Sequence, residues 1–136
     1  MTKGYILDTH IFLWAYLTPE RISSKIRKVL ENTNVRRYIS AVTLMEIAQL
    51  LEIKPKEVKI DGTLDFAINE ALSQLQVQIL NITPTHAQRY YEIQPAKDHK
   101  DPLDRMIIAQ TASTGFTVIS DDTKFLLYPV KVLSND

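Results

Sequence analysis

The apolar positions along the chain alternate between short unbroken runs and stripes at helical spacing. Gly4 to Leu7 is a run with no charged side chain, long enough for a buried strand and too short for a helix. Ile11 to Leu17 follows, apolar almost all round, as suits a helix packed inside a domain. Ile22, Ile26, Val29 and Leu30 keep helical spacing behind a cap at Ser23 or Ser24. After a turn at 32–34, Arg37 to Ser40 reads as a second strand and Ala41 to Glu52 as a third helix carrying Leu44, Ile47, Ala48 and Leu51. Residues 54–62 are polar and aperiodic, with Pro55 and Asp61-Gly62 as breakers, and predict a surface loop. Thr63 caps a helix whose apolar face is Leu64, Ile68, Ala71, Leu72 and Leu75, and Val77 to Leu80 is a third strand. Two cap-plus-proline signatures, Thr83-Pro84 and Asp101-Pro102, open helices that run to about Ile93 and Thr114, the second stopped by Gly115. A loop at 94–100 separates them. Phe116 to Ser120 (strand), Asp121 to Tyr128 (short helix) and Val130 to Leu133 (strand) complete the chain. Strands alternating with helices predict an α/β three-layer sandwich, a central mainly parallel sheet with helices on both faces. With no repeat, low-complexity tract or linker, a single domain over residues 1–136 is expected.

Composition narrows the chemistry. There is no cysteine, so disulfides and thiolate metal sites are excluded and any metal must sit on oxygen or histidine. No apolar stretch is long enough to span a bilayer and no signal-like core opens the chain, so a cytoplasmic protein is expected. Sixteen basic side chains balance sixteen acidic ones. A nucleic-acid partner would therefore have to meet local basic charge, or a bound cation would have to supply some.

The candidate chemistry lies in acids at strand-to-helix junctions. Asp8 ends the first strand, and burying a carboxylate there is costly without compensation. Asp121 and Asp122 follow the late strand, Glu46 lies one to two turns into the helix after the second strand, and Asp104 is in the first turn of the late helix. Ligands of open parallel sheets bind outside the carboxyl ends of the strands, so these acids can face one crevice and share a hard divalent cation. Each has a plainer reading. Asp8 can cap the helix behind it. Glu46, with Thr43 and Gln49 three residues either side, can belong to a solvated stripe. Asp101 before Pro102 reads as a cap, and Asp104 favours the helix dipole. Of Asp121 and Asp122, one lines the crevice, and the spacing does not choose between them. His10, His86 and His99 have no nucleophile partner, and three glycines make no phosphate loop. Tyr90 and Tyr91 can stack on bases, although helical spacing puts at least one in the core.

Taken together, Ile6-Leu7-Asp8-Thr9-His10 with Phe12-Leu13-Trp14, Ile39-Ser40-Ala41 leading to Met45-Glu46-Ile47-Ala48, His99 to Arg105 with Ile108-Ala109-Gln110, and Val118 to Asp122 before Phe125 resemble the PIN-domain family, and within it the VapC-type toxins. The resemblance runs nearly end to end. It implies a PIN-like fold and a Mg²⁺- or Mn²⁺-dependent endoribonuclease whose metal-binding acids are Asp8, Glu46, Asp104 and Asp122, with Asp101 assisting. It also implies a homodimer and a cognate antitoxin. Contacts to RNA are then expected from Lys97, His99, Lys100, Arg105 and Lys124. Two competing classes are a non-catalytic module that uses the same fold to hold a protein, and a phosphoacceptor domain. The second expects an acidic pair after the first strand, where this chain has Asp8-Thr9-His10.

Overall fold

The computed structural model describes residues 3–56, 58–95 and 101–136. Five strands, β1 (Gly4–Leu7), β2 (Arg36–Ser40), β3 (Gln78–Leu80), β4 (Thr117–Ser120) and β5 (Lys131–Ser134), form one parallel sheet in the order β3-β2-β1-β4-β5. Six helices connect them: α1 (Thr9–Leu17), α2 (Ser24–Glu31), α3 (Ala41–Ile53), α4 (Leu64–Leu75), α5 (Pro84–Glu92) and α6 (Pro102–Thr114). Two 3-10 turns, Pro19–Arg21 and Thr123–Leu127, complete the described elements. The second, five residues long, stands where the sequence predicts a short helix, within the ten-residue connection 121–130 from β4 to its neighbour β5.

The alternation along each strand divides the core in two. Leu7, Ile39 and Ile119 point to one face and meet Ile11 and Phe12 of α1, Ile26 of α2, Ile47 of α3 and Ala71 of α4. Ile6 and Val118 point to the other and meet Ile107 and Ile108 of α6 with Phe125 and Tyr128 of the last turn. Side chains of a strand alternate faces, so a run apolar at every position requires cover on both sides. The three-layer α/β sandwich is therefore what β1 and β4 dictate. Among the described residues no helix is long and apolar enough to cross a membrane.

Local chemistry sets the ends. Thr63, Thr83 and Asp101 cap α4, α5 and α6 as the sequence predicts, and Gly115 ends α6 at φ 73°. His86 adds a detail: its Nδ1 accepts from the backbone N–H of Thr83 at 3.2 Å, closing a capping box. Ser23 occupies the cap position of α2, yet its side chain makes no capping bond. The carboxyl-terminal Asn135 does the work instead, accepting from Ser23 N–H at 2.7 Å and donating to the Arg21 carbonyl at 2.8 Å.

Candidate active site

Strand register pairs Leu7 with Ile39 on one side and Ile119 on the other, so Asp8, Ser40 and Ser120 stand in one row beyond the sheet's carboxyl edge. The chain builds outward from β1 to β2 and β3 in one direction and lays β4 and β5 in the other. The crevice at such a reversal is where open parallel sheets take ligands.

Asp8 is 5% exposed. Its Oδ1 caps α1, accepting from Ile11 N–H at 2.9 Å, and its Oδ2 accepts from the Ser120 hydroxyl. The Ser120 oxygen also accepts from Asp122 N–H at 3.0 Å, tying the end of β4 to the end of β1. Burial pushes the Asp8 carboxyl from its ordinary 3.8 up to about 6. The bonds from Ser120 and Ile11 pull it partly down, and the negative charges of Glu46 and Asp122 push it up again.

Glu46 enters from α3. The Thr9 hydroxyl donates to its Oε1 at 2.7 Å and lies 3.1 Å from the Thr43 hydroxyl. Thr43 is fully buried, Glu46 half-buried and Gln49 exposed, so these three do not form a solvated stripe. Asp122 is half-buried and caps the last 3-10 turn, accepting from Lys124 N–H at 2.9 Å, while Asp121 is exposed. Of that pair, it is Asp122 whose charge bears on Asp8.

Asp101 is the exposed cap of α6, accepting from the N–H groups of Leu103 (2.9 Å) and Asp104 (3.4 Å). Asp104 is half-buried in the same first turn. Asp101 and Glu46 line one groove of about 360 Å³, together with Gln49, Lys54 and the apolar Met45, Leu50, Ile53, Pro102 and Leu103. Among the described residues, no three acidic or histidine side chains stand at metal-ligating separation. Of the acids, Asp8, Glu46 and Asp122 bear on one another at the β1 edge, without a closed cage.

Of the residues expected to meet RNA, Lys97, His99 and Lys100 lie outside the described residues. Lys124 is exposed beside Asp122. Arg105 stacks on Tyr90, its guanidinium carbon 4.3 Å from the ring centre and Nη1 donating to the phenol oxygen at 3.3 Å. Tyr90 is thereby half-buried, and Tyr91 is 84% exposed.

Sequence reasoning missed the buried hydroxyls of Thr9, Thr43 and Ser120. The signal was a hydroxyl side chain at successive strand-to-helix junctions, Thr9, Ser40 and Ser120, set among aliphatic residues. Neutral donors of this kind orient a carboxylate without cancelling its charge.

The donor set suits a hard divalent cation. Asp8, Glu46 and Asp122 offer carboxylate oxygens. The ion pairs among the described residues, Lys25–Asp136 and Arg89–Glu92, include none of them. A buried carboxyl raised to about 6 beside two like charges is the electrostatic setting that a cation relieves.

The PIN domain family model matches residues 5–131, and the chain belongs to that family. It is similar to Ribonuclease VapC22 of Mycobacterium tuberculosis, 26% identical over 121 residues, which cover 88% of this chain and 87% of the relative. Its fold is similar to that of VapBC2 from Rickettsia felis, solved bound to a DNA fragment from the promoter. That match has a TM-score of 0.71 and 19% identity, covering 98% of this chain and 99% of the other. A toxin-antitoxin complex from Klebsiella pneumoniae matches with a TM-score of 0.67 and 20% identity over 97% and 98% of the two chains. The PIN-like resemblance read from the four acidic segments holds over nearly the whole chain.

Proposed function

We propose that this chain is a Mg²⁺- or Mn²⁺-dependent endoribonuclease, the toxin of a toxin–antitoxin pair, that hydrolyses RNA phosphodiester bonds at the β1 edge of the sheet. One observation carries the reading. Asp8 is a buried carboxyl that faces two further acids and is held by neutral donors, at the crevice where this fold class binds ligands. The similarity to a mycobacterial ribonuclease supports it. Asp8, Glu46 and Asp104 would hold the cation, with Asp122 serving a second position and Asp101 assisting. When bound, the cation supplies Lewis acidity, lowering the pKa of a water and offsetting phosphate charge.

The chain's own residues do the positioning. Ser120 and the Ile11 N–H fix both oxygens of Asp8, and Thr9 fixes one oxygen of Glu46. Residues Lys97, His99, Lys100, Arg105 and Lys124 supply contacts to the RNA backbone. The proposal includes a single domain over residues 1–136, a homodimer, a cytoplasmic location and an antitoxin that occludes the acids.

Single-stranded RNA incubated with Mg²⁺ or Mn²⁺ tests the reading, with wild type compared against Asp8→Asn and Asp104→Asn. Cleavage should vanish with EDTA and fall to background in both variants. Cleavage that survives EDTA, or that neither substitution changes, overturns it.

A further inference from the structure

Beside the acids lies a second cavity that the reaction does not use. It holds about 370 Å³ and is lined by His10, Leu13, Trp14, Leu17, Thr18 and Arg21, closed on the far side by Leu50 and Val58. Its wall includes His10, Leu13, Trp14 and Leu17 of α1, the helix that Asp8 caps, and Leu50 of α3, the helix that carries Glu46. On α1, His10 comes two residues after Asp8. On α3, Leu50 sits four residues after Glu46, one turn or about 5.4 Å along the axis. The cavity therefore shares elements with Asp8 and Glu46, although neither acid lines it.

Its furnishing is that of a stacking site. The Arg21 guanidinium carbon lies over Trp14, 4.0 Å from the ring centre, and Arg21 is exposed. His10, also exposed, leans on the same indole at a ring separation of 6.1 Å. A planar cation backed by an aromatic ring offers an unpaired base a stacking surface, and its N–H edge offers donors to base carbonyls or phosphate. The charges are complementary to a polyanion: Arg21 lines the cavity, and no carboxylate does. A docked helix would instead need an apolar seam several turns long. This wall interrupts one with His10, Thr18 and Arg21.

We propose that this cavity is a base-recognition subsite for single-stranded RNA. It would take the nucleobase of a residue adjoining the scissile phosphate against Arg21 and Trp14. The inference rests on the ribonuclease reading and assigns its sequence preference to these residues.

Trp14 is the only tryptophan in the chain, so its emission reports on the cavity directly. RNA hexamers of mixed sequence are titrated into metal-free Asp8→Asn protein, which cannot turn them over and lacks one of the charges that repel phosphates, and their cleavage by wild type with Mn²⁺ is followed in parallel. The expected result is quenching of Trp14 that disappears with hexamers of abasic residues. Arg21→Ala should weaken hexamer binding about tenfold, and Trp14→Leu to a similar degree. Both substitutions should flatten the cleavage preference of the otherwise wild-type enzyme across a randomised RNA pool. Arg21 is exposed, and circular dichroism checks that both variants fold. If wild type cleaves in an Asp8-dependent way while emission, affinity and preference ignore these substitutions, the subsite is wrong and the ribonuclease reading stands. If wild type does not cleave and hexamers do not bind, both fail. If an amphipathic leucine-rich peptide shifts the emission where RNA does not, the cavity holds protein and the subsite is likewise wrong.

Discussion

At the scale of single residues, Asp8 ties the chemistry to stability. Its carboxyl is raised to about 6 in the folded protein against 3.8 in a free chain. The fold thus keeps a proton that the unfolded chain gives up. The stability contributed is full below pH 3.8 and is lost as pH rises through 6. At about 1.4 kcal/mol per pH unit, the metal-free protein above pH 7 carries a penalty of about 3 kcal/mol from this one group. Asp8→Asn removes it, because an amide can accept from Ile11 N–H and donate to the Ser120 oxygen. Thermal unfolding without metal should therefore show the variant melting several degrees higher than wild type at pH 7.5, with the gap closing toward pH 4.5. Addition of Mn²⁺ at pH 7.5 should raise the wild-type midpoint and leave the variant unmoved. A variant less stable than wild type at both pH values contradicts this account. Ser120→Ala tests the positioning of the same carboxylate. It deletes the donor to Oδ2, so cleavage should fall about 10- to 100-fold while secondary structure is kept.

At the scale of elements, the fold was legible wherever two signals agreed. Asp101-Pro102 with Gly115 bounded α6 to the residue, because cap, proline and left-handed stop act locally. The helix ahead of β2 was legible as a stripe with a cap position at Ser23 or Ser24, but not the tie that holds its entry, where Asn135, 112 positions away, accepts from Ser23 N–H and donates to the Arg21 carbonyl. Arg37 was unreadable for the same reason. It is 6% exposed and, among the described residues, pairs with no carboxylate. Its guanidinium donates to the carbonyls of Asn32 (2.7 Å), Leu75 (3.2 Å) and Val29 (3.4 Å), which belong to the carboxyl ends of α2 and α4. Two helix ends and a strand are pinned by one planar fork, and the negative ends of the helix dipoles offset its charge. Arg37→Lys keeps the charge and loses the fork, so it should cost about 2 kcal/mol or more in urea unfolding. An unchanged midpoint would show that the carbonyls find water as readily. Gly4 marks a close approach of another kind: a Cβ there would stand 2.5 Å from the Phe116 ring, which stacks on Tyr38 at 5.3 Å. Gly4→Ala should push that ring off its partner and destabilise the protein by about 1–3 kcal/mol.

At the scale of the whole molecule, the balance of charge bears on how RNA would be held. The sixteen cationic and sixteen anionic side chains leave no general field to draw a polyanion in, and three acids stand at the edge where the scissile bond is proposed to lie. That Asp8 and one of Asp121 and Asp122 stand at the sheet's carboxyl edge was legible because strands end where ligands bind, while the choice of Asp122 came only with the resemblance. The distances among the acids were not legible, since they depend on how α3 and α6 pack, which no local pattern encodes. Affinity should therefore require the cation and only a few local bases. Anisotropy of a labelled single-stranded RNA is the measurement, with Mn²⁺ and with EDTA, across a series of salt concentrations. In Mn²⁺ the logarithm of affinity should fall with the logarithm of salt at a slope no steeper than about 4, at about 0.7 per phosphate neutralised on a single strand. In EDTA, wild type should bind markedly more weakly than Asp8→Asn, since the substitution removes one of the charges that repel the phosphates. Metal-free wild type binding as tightly as with Mn²⁺, along a steep salt slope, would mean that RNA is held by a basic surface away from the acids, and the β1 edge would lose its claim to be where RNA is cut.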